Sequence, residues 1–435
     1  MKALDPRRAC AVVEARLGRP VQDSLEAAVV LEAWCGLQAR DAINRGRELI
    51  GHVGAPAPRR RHIEEQETSG RSAMAEGMSL VLAILAVAMW ASPLSSMLGA
   101  AVWDTAVRTA LPLTFAFQWI LWSRHLSKGE GLGSLRREGP AGVLGLAAIA
   151  ALLVSLGNGG AVAAMLLVTW TSGTVLMSRG WGLLYALVLA SVGLGLELAL
   201  DPFALLGGAA LFSIVAVGLA VATSGPAASS TGSWLQALVV GAIGAGLGAL
   251  LVTDHTIGWG FFGALPALAL IPSAVGGLWG GRYLSRVHVE LPRALRETPV
   301  ARADKVDLGG PGLVILAGSI LRLTLGTTVL SVLCILLSPW TSGTIATSLF
   351  VGFGCLALAT LFVSLLVSLG RMTWALVAVS AAVLVEVWVE LPAALAQPGS
   401  GLVAGGLIAS IIALPPLVKL FLRPGRALAT AVWIP

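Results

Sequence analysis

Beyond residue 77 the chain is a succession of apolar runs, each close to the roughly 20 residues a helix needs to cross the hydrocarbon core of a bilayer. Short stretches carrying charge, glycine or proline break one run from the next. No water reaches that core, so every backbone N–H and C=O must be satisfied within its own segment, and runs of this length become helices. They fall at 78–98, 104–122, 139–156, 159–177, 180–200, 203–223, 235–253, 257–280, 311–333, 344–368, 372–391 and 401–421. Composition agrees: 56% of the residues are hydrophobic and 12% charged, which is too apolar for a water-soluble domain of 435 residues. The expected fold class is an all-α polytopic membrane protein of about 12 transmembrane helices.

The placement of lysine and arginine gives these spans a direction, since short cytoplasmic loops collect basic residues. With the N-terminus inside, the cytoplasmic loops and tail hold Arg124, Lys128, Arg136, Arg137, Arg179, six bases from Arg282 to Lys305, Arg371, Lys419, Arg423 and Arg426. The outer loops hold none, and Asp254 is expected on one of them. The first 77 residues differ, with 12 of the 29 basic and 11 of the 23 acidic residues. Their opening lacks an apolar core ahead of its charges, so the N-terminus is expected to stay in the cytoplasm. "DPRRACAVVEARLG" and "DSLEAAVVLEAWCGLQARDAINRGREL" carry apolar residues at helical spacing and predict a cytoplasmic hairpin over 1–50. Residues 51–77, rich in charge, proline and glycine, are expected to be a flexible linker, and residues 422–435 a cytoplasmic tail.

Two sequence matches share one offset. "LWSRHLS" at 121–127 returns as "LWGGRYLS" at 278–285, each ending a span and leading into a basic loop that closes with Gly-Pro before the next helix. "YALVLASVGLGLELALD" from Tyr185 aligns without gaps to "WALVAVSAAVLVEVWVE" from Trp374, which puts Glu197 on Glu386 and Asp201 on Glu390. Span two matches span eight and span five matches span eleven, so two parallel six-helix lobes are expected, 78–223 and 235–421, related by an axis along the membrane normal.

The two lobes, the longer basic loops after spans two and eight, and the turn within "FVSLLVSLGRMTWALVAV" resemble the multidrug/oligosaccharidyl-lipid/polysaccharide exporter superfamily, most strongly over residues 311–421. Within it the chain is most similar to the polysaccharide and lipid-linked-oligosaccharide flippases. The resemblance implies alternating access, with a lipid-attached or polymeric glycan crossing the cytoplasmic membrane between the lobes. A non-transporting membrane scaffold that recruits cytoplasmic enzymes through the N-terminal helices is the alternative, and glycan-synthesis enzymes are candidate partners.

Enzyme chemistry finds little support. His52, His62, His125, His255 and His288 lie in the extension or at loops, no lysine sits at the middle of a span, and no phosphate-binding glycine loop precedes a lysine. No metal, cofactor or nucleic-acid partner is expected. Cys10, Cys35, Cys334 and Cys355 form no C-x-x-C pair and read as small hydrophobes. Trp90, Trp103, Trp122, Trp234, Trp279 and Trp340, near span ends, read as interfacial anchors.

Intramembrane charges are the candidate sites, because each is costly in lipid. Arg322 lies deepest; it is either a structural arginine bonded to carbonyls or to a neighbouring acid, or a cavity cation for a substrate phosphate or uronate. Its repeat equivalent is the apolar Ala151. Asp104 and Arg108, four apart, form a helix-surface pair that is either an interfacial salt bridge or part of the cavity wall. Glu197 and Glu386 are either outer-gate or ion-coupling acids, or solvated acids at the interface. Arg282, Arg286, Arg293 and Arg296 are candidate contacts for anionic membrane-lipid headgroups, with topology alone as the alternative.

Overall fold

The computed structural model describes residues 9, 13, 14, 24–53, 64–126, 133–223, 234–254, 257–259, 265–284, 287, 305–337, 343–389 and 397–423, which hold helix and turn but no strand. The helices are α1 Ser24–Cys35, α2 Ala39–Val53, α3 Glu64–Leu98, α4 Ala100–Leu121, α5 Gly133–Val154, α6 Asn158–Ser178, α7 Gly182–Glu197, α8 Pro202–Ala222, α9 Trp234–Thr253, α10 Leu265–Leu284, α11 Lys305–Leu337, α12 Gly343–Ser368, α13 Met372–Val389 and α14 Ser400–Phe421. Seven helices among the described residues are long and apolar enough to cross a membrane, within α3, α6, α8, α9, α11, α12 and α14. The chain is a multi-pass membrane protein.

The N-terminal region departs from its expected outline. The second amphipathic segment is two helices, because Gly36 takes a φ of 69° and turns the chain between α1 and α2. Helix α3 begins at Glu64, inside the stretch read as a linker. Helices α1 and α2 pack on each other, and Ala9, Val13, Ala27, Leu31, Ala42 and Leu49 form a small buried cluster. The pair also docks on the rest of the molecule: α2 packs on α11, and Leu25 and Ile43 lie against the core of residues 240–421. Cys35 sits against the small cluster, and burial pushes its thiol above the ordinary value, in keeping with a packing role.

Two larger cores follow. One gathers residues from Ala83 to Ala216, the other residues from Val240 to Phe421 together with Trp119; Leu111 and Trp259 touch both. Trp90 and Trp103, read as interfacial anchors, lie buried in the first core, where Trp90 Nε1–H donates to Leu189 O at 2.9 Å. Trp234 and Trp279 are half exposed, at 50% and 46%.

Glycines set how closely helices approach. On α10, Gly276 and Gly280 sit against Leu323 and Ser319 of α11. On α9, Gly241, Gly244 and Gly248 face α4, where a Cβ on Gly244 would lie 2.7 Å from Phe115 O. Small residues spaced four apart bring backbones together without cost to side-chain packing.

The turns repeat as well. Helix α6 ends at Gly180 (φ 83°), with Gly180 N–H donating to Met177 O at 3.0 Å and Trp181 N–H to Leu176 O at 2.9 Å. Helix α12 ends the same way at Gly370 (φ 72°), with Gly370 N–H on Val367 O at 3.0 Å and Arg371 N–H on Leu366 O at 2.7 Å. Both are Schellman closures, which satisfy the orphan carbonyls of a helix end. Helix α7 closes alike with Ala199 N–H on Leu196 O and Leu200 N–H on Gly195 O, but there the left-handed residue is an alanine (φ 55°). Ala199→Gly is therefore expected to stabilise the protein by about 0.5–1 kcal/mol, read as a raised unfolding midpoint of the detergent-purified chain.

Candidate functional site

Three of the residues singled out in the sequence come together at one end of the molecule. Helices α4 and α9 lie antiparallel, from Arg124, whose guanidinium carbon sits 4.0 Å from the Trp234 ring centroid, to Arg108 at the other end. There Arg108 Nε–H donates to Asp104 Oδ2 at 2.6 Å, while Nη1 donates to Val252 O and Nη2 to Ile257 O at 2.8 Å. Asp104 Oδ1 accepts from Trp259 N–H at 3.0 Å. Val252 O belongs to the last turn of α9, where carbonyls lack helical partners and the helix dipole favours a cation. The pair is thus a clamp that holds Val252, Ile257 and Trp259 against α4, using all three guanidinium nitrogens.

Asp254 sits inside the clamped segment and is fully buried, at 0% exposure. Glu386 of α13 is buried to the same extent. Both reach the first turn of α14: a Cβ on Gly401 would lie 3.1 Å from Glu386 Oε1 and 3.2 Å from Asp254 Oδ2, and one on Gly405 would lie 3.5 Å from Glu386 Oε2. Two glycines, one turn apart, therefore make the recess that admits both carboxyl groups. Acids meeting in an apolar setting are tolerated when donors are bonded to them or a proton or cation sits between them. Asp254, expected on an outer loop, follows the last turn of α9 and is buried rather than solvated. It escapes notice in the sequence because "VTDHT" follows an apolar run and reads as solvated; the G-x-x-x-G spacing of "GLVAG" was the available signal that α14 receives something close.

The other candidates lie elsewhere. Glu197, the repeat equivalent of Glu386, is exposed at the end of α7, and Asp201 caps α8 by accepting from Ala204 N–H at 2.8 Å. Arg322 stacks 3.4 Å from the centroid of Tyr283 and donates from Nη1 to Gly318 O at 3.2 Å. Gly318 leaves room for the Tyr283 ring. Helix α11 packs on α10, α12, α14 and α2; Arg322 is half-buried on it, and its ring partner Tyr283 packs against the second core. Arg282 is half-buried in the last turn of α10; Arg286, Arg293 and Arg296 lie outside the described residues. No metal-binding group of His, Cys, Asp and Glu occurs among the described residues. No protein-family model, curated protein or solved structure matches the chain.

Proposed function

We propose that this chain is a membrane transporter of two six-helix lobes, 78–223 and 235–421, that exports a lipid-linked oligosaccharide or exopolysaccharide by alternating access, without covalent chemistry. One observation carries the reading: helix packing repeats at an offset of six. Helix α3 packs on α7 as α9 does on α13, α4 on α6 as α10 on α12, and α6 on α8 as α12 on α14. Between the sets the pairing is exchanged, α4 with α9 and α3 with α10, which is what a twofold axis between repeats requires.

On this reading α4, α5, α7, α10 and α13 cross the membrane beside the seven helices α3, α6, α8, α9, α11, α12 and α14. The basic loops then put both termini on the cytoplasmic side of the cell membrane. The recess of Asp254 and Glu386, clamped from the first lobe and walled by the second, is the ion-coupling site, because its two acids report on the relation between lobes. Membrane lipids and the glycan substrate are the partners.

Translocation of a fluorescent lipid-linked oligosaccharide by the full chain in proteoliposomes tests this. Expected is transfer that accelerates under a pH gradient in the native chain and loses that acceleration in Glu386→Gln. Transfer indifferent to the gradient in both would remove the coupling role. Absence of transfer, with glycan-synthesis enzymes retained on the chain, would favour the scaffold instead.

A further inference from the structure

A second crevice, at the opposite end of α13 from Glu386, opens where the start of α13 meets the end of α14. It has a volume of about 290 Å³ and is lined by Arg371, Trp374, Pro415, Pro416, Lys419, Leu420 and Arg423. Three cations converge there, all exposed, and none is bonded to an acid among the described residues. Residues 365–385 and 397–435 contain no aspartate or glutamate at all. Like charges gathered on one small opening repel, so an anion is the partner that makes the arrangement favourable. Arg371 is held in place by the Schellman closure at Gly370, whose backbone bonds fix the direction from which it leaves α12.

The walls indicate which anion. Trp374, 47% exposed, is the amphipathic ring that settles at headgroup level. One turn further along each helix the surface becomes apolar and exposed, with Val377 at 52% and Ile411 at 63%. Cations at one end, an indole beside them and open hydrocarbon surface beyond match a phosphate attached to acyl chains better than a free ion. We infer that this crevice binds the phosphate of an anionic membrane phospholipid, through Arg371, Lys419 and Arg423, with the acyl chains along α13 and α14. The inference needs these helices to lie in a bilayer and does not depend on the transport reading.

The test is lipid retention by the full chain, purified in neutral detergent with an equal mixture of phosphatidylglycerol and phosphatidylcholine and quantified by mass spectrometry. The native chain should retain phosphatidylglycerol preferentially. Arg371→Gln, Lys419→Gln and Arg423→Gln should each lower the preference about fivefold, the worth of one cation beside an anionic surface. Arg179→Gln, at the corresponding turn before α7, should leave it unchanged; the single-peak elution of every variant checks folding. No preference in the native chain, or equal losses in Arg179→Gln, would overturn the site. Excess inorganic phosphate should leave retention intact; displacement of the lipid would overturn the lipid assignment and give the crevice to free phosphate.

Discussion

Gly244→Val is expected to destabilise the folded protein by about 3 kcal/mol or more, seen as a large drop in the unfolding midpoint and loss of monodisperse protein in detergent. The first atom a Cβ would meet at Gly244 is Phe115 O, at 2.7 Å, with Trp119 Cγ and Cβ at 2.7 and 2.8 Å. A backbone carbonyl cannot rotate away, and Trp119 is 1% exposed with no space to retreat into. Valine adds two methyl groups beyond that Cβ, so α9 must move off α4. The same shift would be felt at Gly248, whose Cβ position lies 2.7 Å from Pro112 Cα, and at Gly241, 2.7 Å from Ile120 Cδ1. Gly208→Ala is the contrast, because nothing lies within 4 Å of its Cβ position. That change should be neutral or slightly stabilising through helix propensity. Equal behaviour of the two variants would mean that α4 and α9 are not in contact.

Helix positions were legible because lipid leaves the backbone little choice, and an apolar run such as 401–421 has one available structure. The departures have local causes. Gly36 breaks the second N-terminal helix through its own backbone angle, and the charged stretch from Glu64 stays helical because it continues an apolar helix already nucleated at its far end. What a span packs against was much less legible. A G-x-x-x-G spacing, as in 244–248, 276–280 and 401–405, says that something comes close without saying which helix. Glu197 and Glu386 show the limit most clearly: aligned in the repeat, they end in opposite surroundings, because only Glu386 faces Gly401, Gly405 and Asp254. Environment is a property of neighbours brought in by the fold. Asp104 and Arg108, by contrast, were recognisable as a pair, since their i, i+4 spacing is enough to join them.

Arg108→Ala should cost about 2–3 kcal/mol and loosen one end of the molecule without dismantling the rest. The substitution leaves Val252 O and Ile257 O without their charged donor and leaves Asp104 with Trp259 N–H alone. The ion pair is partly open, with side-chain exposures of 19% and 28%, so water offsets some of the loss and the cost stays below that of a fully buried pair. Arg108→Lys should recover little, because one ammonium cannot reach three acceptors arranged around a planar fork. Asp104→Asn should be milder, since its amide oxygen still accepts from Trp259 N–H. The consequence for the acids follows from chain connectivity: Asp254 lies between the two carbonyls that Arg108 holds, and Ile257 N–H donates to Asp254 O at 3.1 Å. Amide exchange at Ile257 and Trp259 should therefore rise in Arg108→Ala while amides of the α12 core stay protected. If exchange at both amides and the unfolding midpoint were unchanged, Arg108 would not be holding this segment, and its guanidinium would be available to a ligand instead.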